Sequence, residues 1–194
     1  MKKVIIIPGL GDKVKWTKIA TRNWREHGIE PIIYSMNWHD GESFKIKLNK
    51  LVKLADSLSK EGSKISVIGC SAGASVALNL FIKRQNIIDR VVSVCGRLRK
   101  GHQTGFRSLE TRAKTSPAFM ESVELFESQE KNLNKDQRKI IMTIRPLFGD
   151  ELVPSDTAVI KDGQNITVPT IEHSLSIYMA LSIFSKPLIN FLNK

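Results

Sequence analysis

The sequence predicts an α/β fold, a mostly parallel sheet of about six strands with helices on both faces. Two observations carry this prediction. Short apolar runs rich in β-branched residues alternate with longer stretches of helical periodicity from one end of the 194-residue chain to the other. The first of them, Val4–Ile7, is apolar throughout rather than at every second position, the pattern of a strand covered on both faces.

Val4–Ile7 is the first run, closed by Pro8-Gly9. Asp12 is placed to cap the following helix, which carries Trp16, Ile19, Ala20 and Trp24 on one face and stops at Gly28. Ile32–Tyr34 begins a second strand. Residues 43–60 put Phe44, Leu48, Leu51, Ala55 and Leu58 on one face of a second helix, ended by Gly62. Ile65–Ile68 is the third strand and runs without a linker into a helix from Ala72 to Lys83. That helix is apolar on nearly all sides and should be the most buried. Val91–Val94 and Lys139–Ile144 are the fourth and fifth strands. Ile166–Ile171 is a sixth, and Pro169 suits it to an edge. The last helix carries Ile177, Leu181, Phe184 and Leu188, with a break or kink at Pro187.

Residues 97–138 interrupt this rhythm and are far longer than an ordinary connection. Ser116-Pro117 opens a helix within them, with Phe119, Met120, Val123 and Phe126 at helical spacing. The chain is thus expected to be one domain, 1–194, with a helical insertion after the fourth strand that is a candidate lid.

Apolar residues make up 41% of the chain and charged residues 25%, which excludes disorder as its description. The longest apolar runs fall well short of the roughly 20 residues that span a bilayer. Val4–Ile7, behind Lys2-Lys3, is too short for the core of a signal peptide. A soluble, cytoplasmic protein is expected. Cys70 and Cys95 build neither a disulfide framework nor a four-ligand zinc site, and both read as packing residues. The unusual global value is a net charge of +11, from 30 Lys and Arg against 19 Asp and Glu. The basic residues are scattered, with no nucleic-acid-binding signature, so a solvated basic surface is expected rather than a nucleic-acid partner.

Chemistry concentrates at Gly69-Cys70-Ser71-Ala72-Gly73, a G-x-S-x-G between a strand and a helix. The bare pattern arises by chance in about 6% of chains this long; its context makes it informative. A serine on a sharp strand-to-helix turn needs small neighbours, and the helix N-terminus favours developing negative charge. A nucleophilic serine also needs a base and a group to orient that base. Of the four histidines, His27 falls at a helix C-terminus, His102 in the insertion, and His39 in the loop after the second strand. His173 follows the last strand, on the same sheet edge as Ser71. Asp150 follows the fifth strand; Glu151 and Asp156 are alternative acids farther from the strand end. Arg97, Arg99 and Lys100 follow the fourth strand and face either an anionic substrate or solvent.

Ser71, Asp150 and His173, in that order and each in a loop after a strand, resemble the α/β-hydrolase superfamily over nearly the whole chain. The resemblance implies a reduced α/β-hydrolase fold without the extra N-terminal strands of larger members. Ser71 is similar to the family's nucleophile, His173 to its base and Asp150 to its orienting acid. Pro8-Gly9-Leu10-Gly11 resembles the oxyanion loop, with Pro8 where histidine is common, and Asp150–Pro154 resembles the D-x-x-V-P after the acid. An oxyanion hole made by the backbone N–H groups of Leu10 and Ala72 is implied.

The expected function is hydrolysis of a small-molecule carboxylic ester or thioester through an acyl-serine, without metal or organic cofactor. A ligand-binding protein that keeps the triad without turnover is one alternative. A basic-surface binder of nucleic acid or anionic membrane is another. Trp38, His39, Arg97, Phe119 and Met120 are the expected substrate-binding residues. The apolar face of the helix within 105–128 should cover the pocket mouth above Ser71, or else pack on the sheet's flank.

Overall fold

The computed structural model describes residues 1–59 and 63–194. The expected end of the second helix, at residue 60 and Gly62, lies outside the described residues. Six strands form one sheet: β1 (Lys2–Ile7), β2 (Ile29–Ile33), β3 (Ile65–Cys70), β4 (Ile88–Val94), β5 (Ile141–Pro146) and β6 (Gln164–Val168). Their order is β2-β1-β3-β4-β5-β6, and every neighbouring pair is parallel. All strand C-termini therefore open on one edge.

Alternation along each strand divides the core. Ile5, Ile7, Val67 and Val91 face α2 (Phe44–Leu58), α3 (Gly73–Lys83) and α5 (Pro117–Glu130). Val4, Ile6, Ile68 and Val92 face α1 (Val14–Ala20), α7 (His173–Leu181) and α8 (Lys186–Leu192). Strands apolar on both faces require this sandwich. As expected, α3 is the most buried helix, enclosed from Gly73 to Phe81.

Several boundaries differ from those read in the sequence. β1 and β2 start earlier than expected: Lys2 and Lys3 pair with Ile29 and Glu30, and of these four only Ile29 carries a hydrophobic signal. β5 starts at Ile141 because Asn134 and Gln137 form a capping box that turns Lys135–Lys139 into a short helix, α6. The first helix is shorter than its periodicity implied. Asp12 does not cap it; it sits in the left-handed region (φ 42°), and its carboxylate accepts from the amides of Met36 and Trp38. Trp16 and Ile19, expected on the core face, are 61% and 39% exposed. The C-terminal helix is broken rather than kinked: α7 and α8 meet at 58°, and Pro187 lies in the first turn of α8. Among the described residues no single helix is long and apolar enough to cross a membrane.

The stretch 97–138 is the crossover from β4 to β5. It contains α4 (Leu109–Ala113) and α5, and α6 runs one residue past its end. Its main helix, α5, does not stand over the sheet edge as a cover; it packs on the flank. Ser122 Oγ lies 2.7 Å from Ser75 Oγ on α3, and Asn79 Nδ2 donates to the Ser122 carbonyl at 2.8 Å. The Phe44 amide on α2 donates to Glu121 at 2.7 Å. Phe119, Val123 and Phe126 are buried in the core shared with α2 and α3, and Met120 packs against it. The apolar face that needed covering is covered by the neighbouring helices.

Two phenylalanines from this stretch separate scaffold from surface. Phe126→Ala should destabilise the protein by about 3–5 kcal/mol through the cavity it leaves. Phe106→Ala, at a side chain 61% exposed, should change stability by less than about 0.5 kcal/mol. Chemical denaturation of both variants measures the contrast; equal effects would remove α5 from the core.

Candidate active site

The strand order reverses between β1 and β3: from β1 the chain goes to β2 on one side, then crosses to β3 on the other. Ligands of open parallel sheets bind at such a reversal, outside the strand C-termini. Ser71 lies there, immediately after β3. The turn is tight enough that Ser71 takes φ 52°, in the left-handed region. A Cβ on Gly69 would fall 2.1 Å from the Gly73 carbonyl oxygen, and one on Gly73 would fall 2.3 Å from that of Ile7. Only glycine lets α3 begin this close to β3 and to the end of β1. The Ser71 amide continues the ladder to the Val94 carbonyl at 2.9 Å.

His173 opens α7 and is buried. Its Nε2 lies 2.9 Å from Ser71 Oγ, and its Nδ1 lies 2.7 Å from Asp150 Oδ2. An ionised carboxylate only accepts, so Nδ1 carries the proton donated to Asp150 and Nε2 is left to accept from the serine hydroxyl. The other Asp150 oxygen accepts from the amides of Leu152 at 2.9 Å and Val153 at 2.8 Å. Arg107 donates to the Asp150 carbonyl at 3.0 Å. Of the two alternative acids, Glu151 accepts from the His173 backbone amide at 3.0 Å rather than from its ring. Asp156 presents its carbonyl to Arg99. Glu172 caps α7 by accepting from Ser174 and Leu175. Burial pushes its carboxyl up, but those amide bonds outweigh it and hold it below the usual range. Hydrogen-bonded in this order, the three groups have the geometry by which an imidazole can take a proton from a hydroxyl.

Leu10 and Ala72 flank the serine. Leu10 lines the same cavity as Ser71, and Ala72 is buried at the start of α3. Among the described residues, neither amide donates a hydrogen bond within the chain.

A cavity of about 540 Å³ opens beside Ser71 and His173. Its far wall comes from α1, through Trp16 and Thr17, and from α7, through Ile177 and Tyr178. Trp16 meets Tyr178 edge-on, with ring centroids 6.4 Å apart. Sequence reasoning assigned Trp16 and Ile177 to helix faces packed in the core; a signal was present in Ile177, one helical turn beyond His173. None of the expected substrate residues lines this cavity. Trp38 is buried and packs edge-on against Phe119. His39 bridges two loops, its ring nitrogens 2.9 Å from the Thr115 carbonyl and 3.2 Å from that of Leu10. Met120 packs on the core. Phe119 and Arg97 reach a separate crevice of about 20 Å³ next to Ser71. Arg97 is not an open rim cation: it is 1% exposed and donates to the carbonyls of Arg99, Lys100 and Arg107. Burial pulls its guanidinium below the ordinary range.

With this fold and site in place, comparison with solved structures finds the same architecture repeatedly. The chain is similar to Est1E from Butyrivibrio proteoclasticus at 17% identity and TM-score 0.69, covering 98% of this chain and 86% of that one. It is similar to a carboxylesterase structure from the thaumarchaeon Nitrososphaera gargenis at 14% identity and TM-score 0.71, covering 99% and 90%. A monoacylglycerol lipase from Paleococcus ferrophilus matches at 13% identity and TM-score 0.67, covering 98% and 93%. No protein-family model matches the sequence, and no curated protein matches it significantly. The chain has the α/β-hydrolase fold, in a reduced form with six parallel strands.

Cys70 and Cys95 are free and buried. Burial pushes the Cys70 thiol up to about 12 from an ordinary value of 9.0. The folded protein therefore holds this proton where the unfolded chain has released it, so stability is lost as pH rises from 9 toward 12. Between pH 8 and pH 10 the wild type should lose about 1 kcal/mol more stability than Cys70→Ala. Urea denaturation at the two pH values measures the difference, and equal losses would contradict the buried, protonated thiol.

Proposed function

We propose that the protein is a serine hydrolase that cleaves carboxylic ester or thioester bonds through an acyl-serine intermediate. The observation that carries this proposal is the continuous hydrogen-bonded chain Ser71 Oγ, His173, Asp150, with links of 2.9 and 2.7 Å, at the mouth of a cavity sized for a small molecule. The esterases and lipases of the same fold support it by analogy.

In the proposed mechanism Ser71 Oγ attacks the carbonyl carbon as its proton passes to His173 Nε2. Asp150, buried and held by two amides, keeps the ring oriented and stabilises the imidazolium. The amides of Leu10 and Ala72 stabilise the tetrahedral oxyanion, helped by the N-terminus of α3. His173 returns the proton to the leaving alcohol or thiol, leaving an acyl group on Ser71. Water deprotonated by His173 then releases the acid and restores the serine. Every proton is accounted for by the imidazole.

The test is a chain-length series of 4-nitrophenyl esters and acyl thioesters. Ser71→Ala should lower kcat/KM by at least about a thousandfold, and a fluorophosphonate should label wild type but not this variant. Wild-type turnover in Ser71→Ala would overturn the mechanism. A folded native protein that neither turns over esters nor takes the label would instead be a ligand-binding protein of the same fold.

A further inference from the structure

Two voids meet at Ser71, the large cavity and the small crevice. Leu10, Ser71, Arg112 and Leu152 line both, so Arg112 is the charged side chain at their junction. The other arginines and Lys100 of the β4–β5 crossover near it have protein partners, although the buried Nε of Arg107 has none. Arg99 pairs with Glu130, Lys100 pairs with Glu110, and Arg97 and Arg107 donate to backbone carbonyls. Arg112, on α4, is partly buried, and among the described residues its guanidinium has neither a hydrogen bond nor an ion pair; only its backbone amide donates, to the Ser108 carbonyl at 3.2 Å. Two other charged groups face the large cavity from the β1–α1 loop. Asp12 has its carboxylate engaged by the amides of Met36 at 3.1 Å and Trp38 at 3.4 Å, and Lys13 is exposed to solvent.

A guanidinium without a protein partner, lining a cavity beside Ser71 and an apolar wall, has its donors available to a bound ligand. We propose that Arg112 is a specificity-determining residue that binds a carboxylate carried by the substrate. The substrate class would then be an ester or thioester of a dicarboxylic half-acid. This rests on the hydrolase proposal and deepens it. The planar fork of a guanidinium matches a carboxylate through two parallel hydrogen bonds. A carboxylate sets one negative charge against this one partly buried guanidinium, while the Lys13 ammonium keeps its hydration at the exposed side of the cavity. The methylene spacer of such an acid would lie along Trp16, Ile177 and Tyr178.

Mono-4-nitrophenyl adipate and 4-nitrophenyl hexanoate differ in the terminal carboxylate, and their kcat/KM ratio reads the subsite. Wild type should favour the adipate by about tenfold or more. Arg112→Gln should bring the ratio close to one, and Arg112→Lys should retain part of the preference. Lys114→Gln removes the same charge from an exposed neighbour and should keep the wild-type ratio. A wild-type ratio near one, a preference that survives Arg112→Gln, or an equal fall in Lys114→Gln would each overturn the proposal. The last of these would assign the effect to the protein's overall charge. Calorimetry on Ser71→Ala separates the subsite from the chemistry. Monomethyl adipate should bind about tenfold more tightly than dimethyl adipate, and Arg112→Gln should abolish that difference. Selective binding without wild-type turnover would keep the subsite and remove the hydrolase; no selectivity would remove the subsite.

Discussion

The turn from β3 into α3 is the constraint on which the rest depends. It has no room for a side chain at Gly69 or Gly73, because α3 begins in contact with β3 and with the carbonyls at the end of β1. Ser71 is held in a left-handed conformation that costs about 1–2 kcal/mol for a residue with a Cβ. Burial of α3 offsets that cost. Its apolar residues are enclosed on every side, and α2 and α5 pack against them. The strained residue is the one whose hydroxyl faces His173, so the proposed nucleophile is positioned by the packing of the most buried helix. Strain of this kind persists only where the surrounding structure over-determines it.

Around the serine, backbone groups do most of the electrostatic work. Amides of Leu152 and Val153 hold Asp150, the His173 amide is held by Glu151, and Glu172 caps the helix that carries the histidine. Arg97, buried behind the crevice, is held by carbonyls alone. Fixed dipoles suit this task because they need no reorganisation when charge develops during a reaction. Arg112, lining both voids at Ser71 without a side-chain partner, stands out against that background. The net charge of +11 is by contrast a property of scattered side chains that no single contact explains.

The α/β-hydrolase fold was legible because its signals are local. Val4–Ile7 and Val91–Val94 are apolar on both faces, which only a covered parallel sheet satisfies, and the amphipathic stripe of residues 44–58 repeats at helical spacing. The order Ser71, Asp150, His173 was legible for the same reason. Each residue follows a strand, and parallel strands place all such loops on one edge. Their meeting distances were not in the sequence; it favoured Asp150 over its neighbour Glu151 only by nearness to the strand end, whereas the structure shows which carboxylate lies 2.7 Å from His173 Nδ1 and is held by two amides from the loop after it.

What the sequence by itself determined is therefore the alternation of elements and the sheet edge on which Ser71, Asp150 and His173 gather. Tertiary structure alone decided what surrounds that chemistry. Phe119 and Met120 have the spacing of a lid, yet α5 finds α2 and α3 and packs there. Trp16 has the spacing of a core residue, yet it walls the cavity because its ring meets Tyr178 on α7. Arg97 and Arg112 are the same residue type in one crossover; one is enclosed by carbonyls and the other left open beside Ser71. An apolar or cationic side chain specifies that it needs a partner, and only the folded chain determines which partner lies within reach.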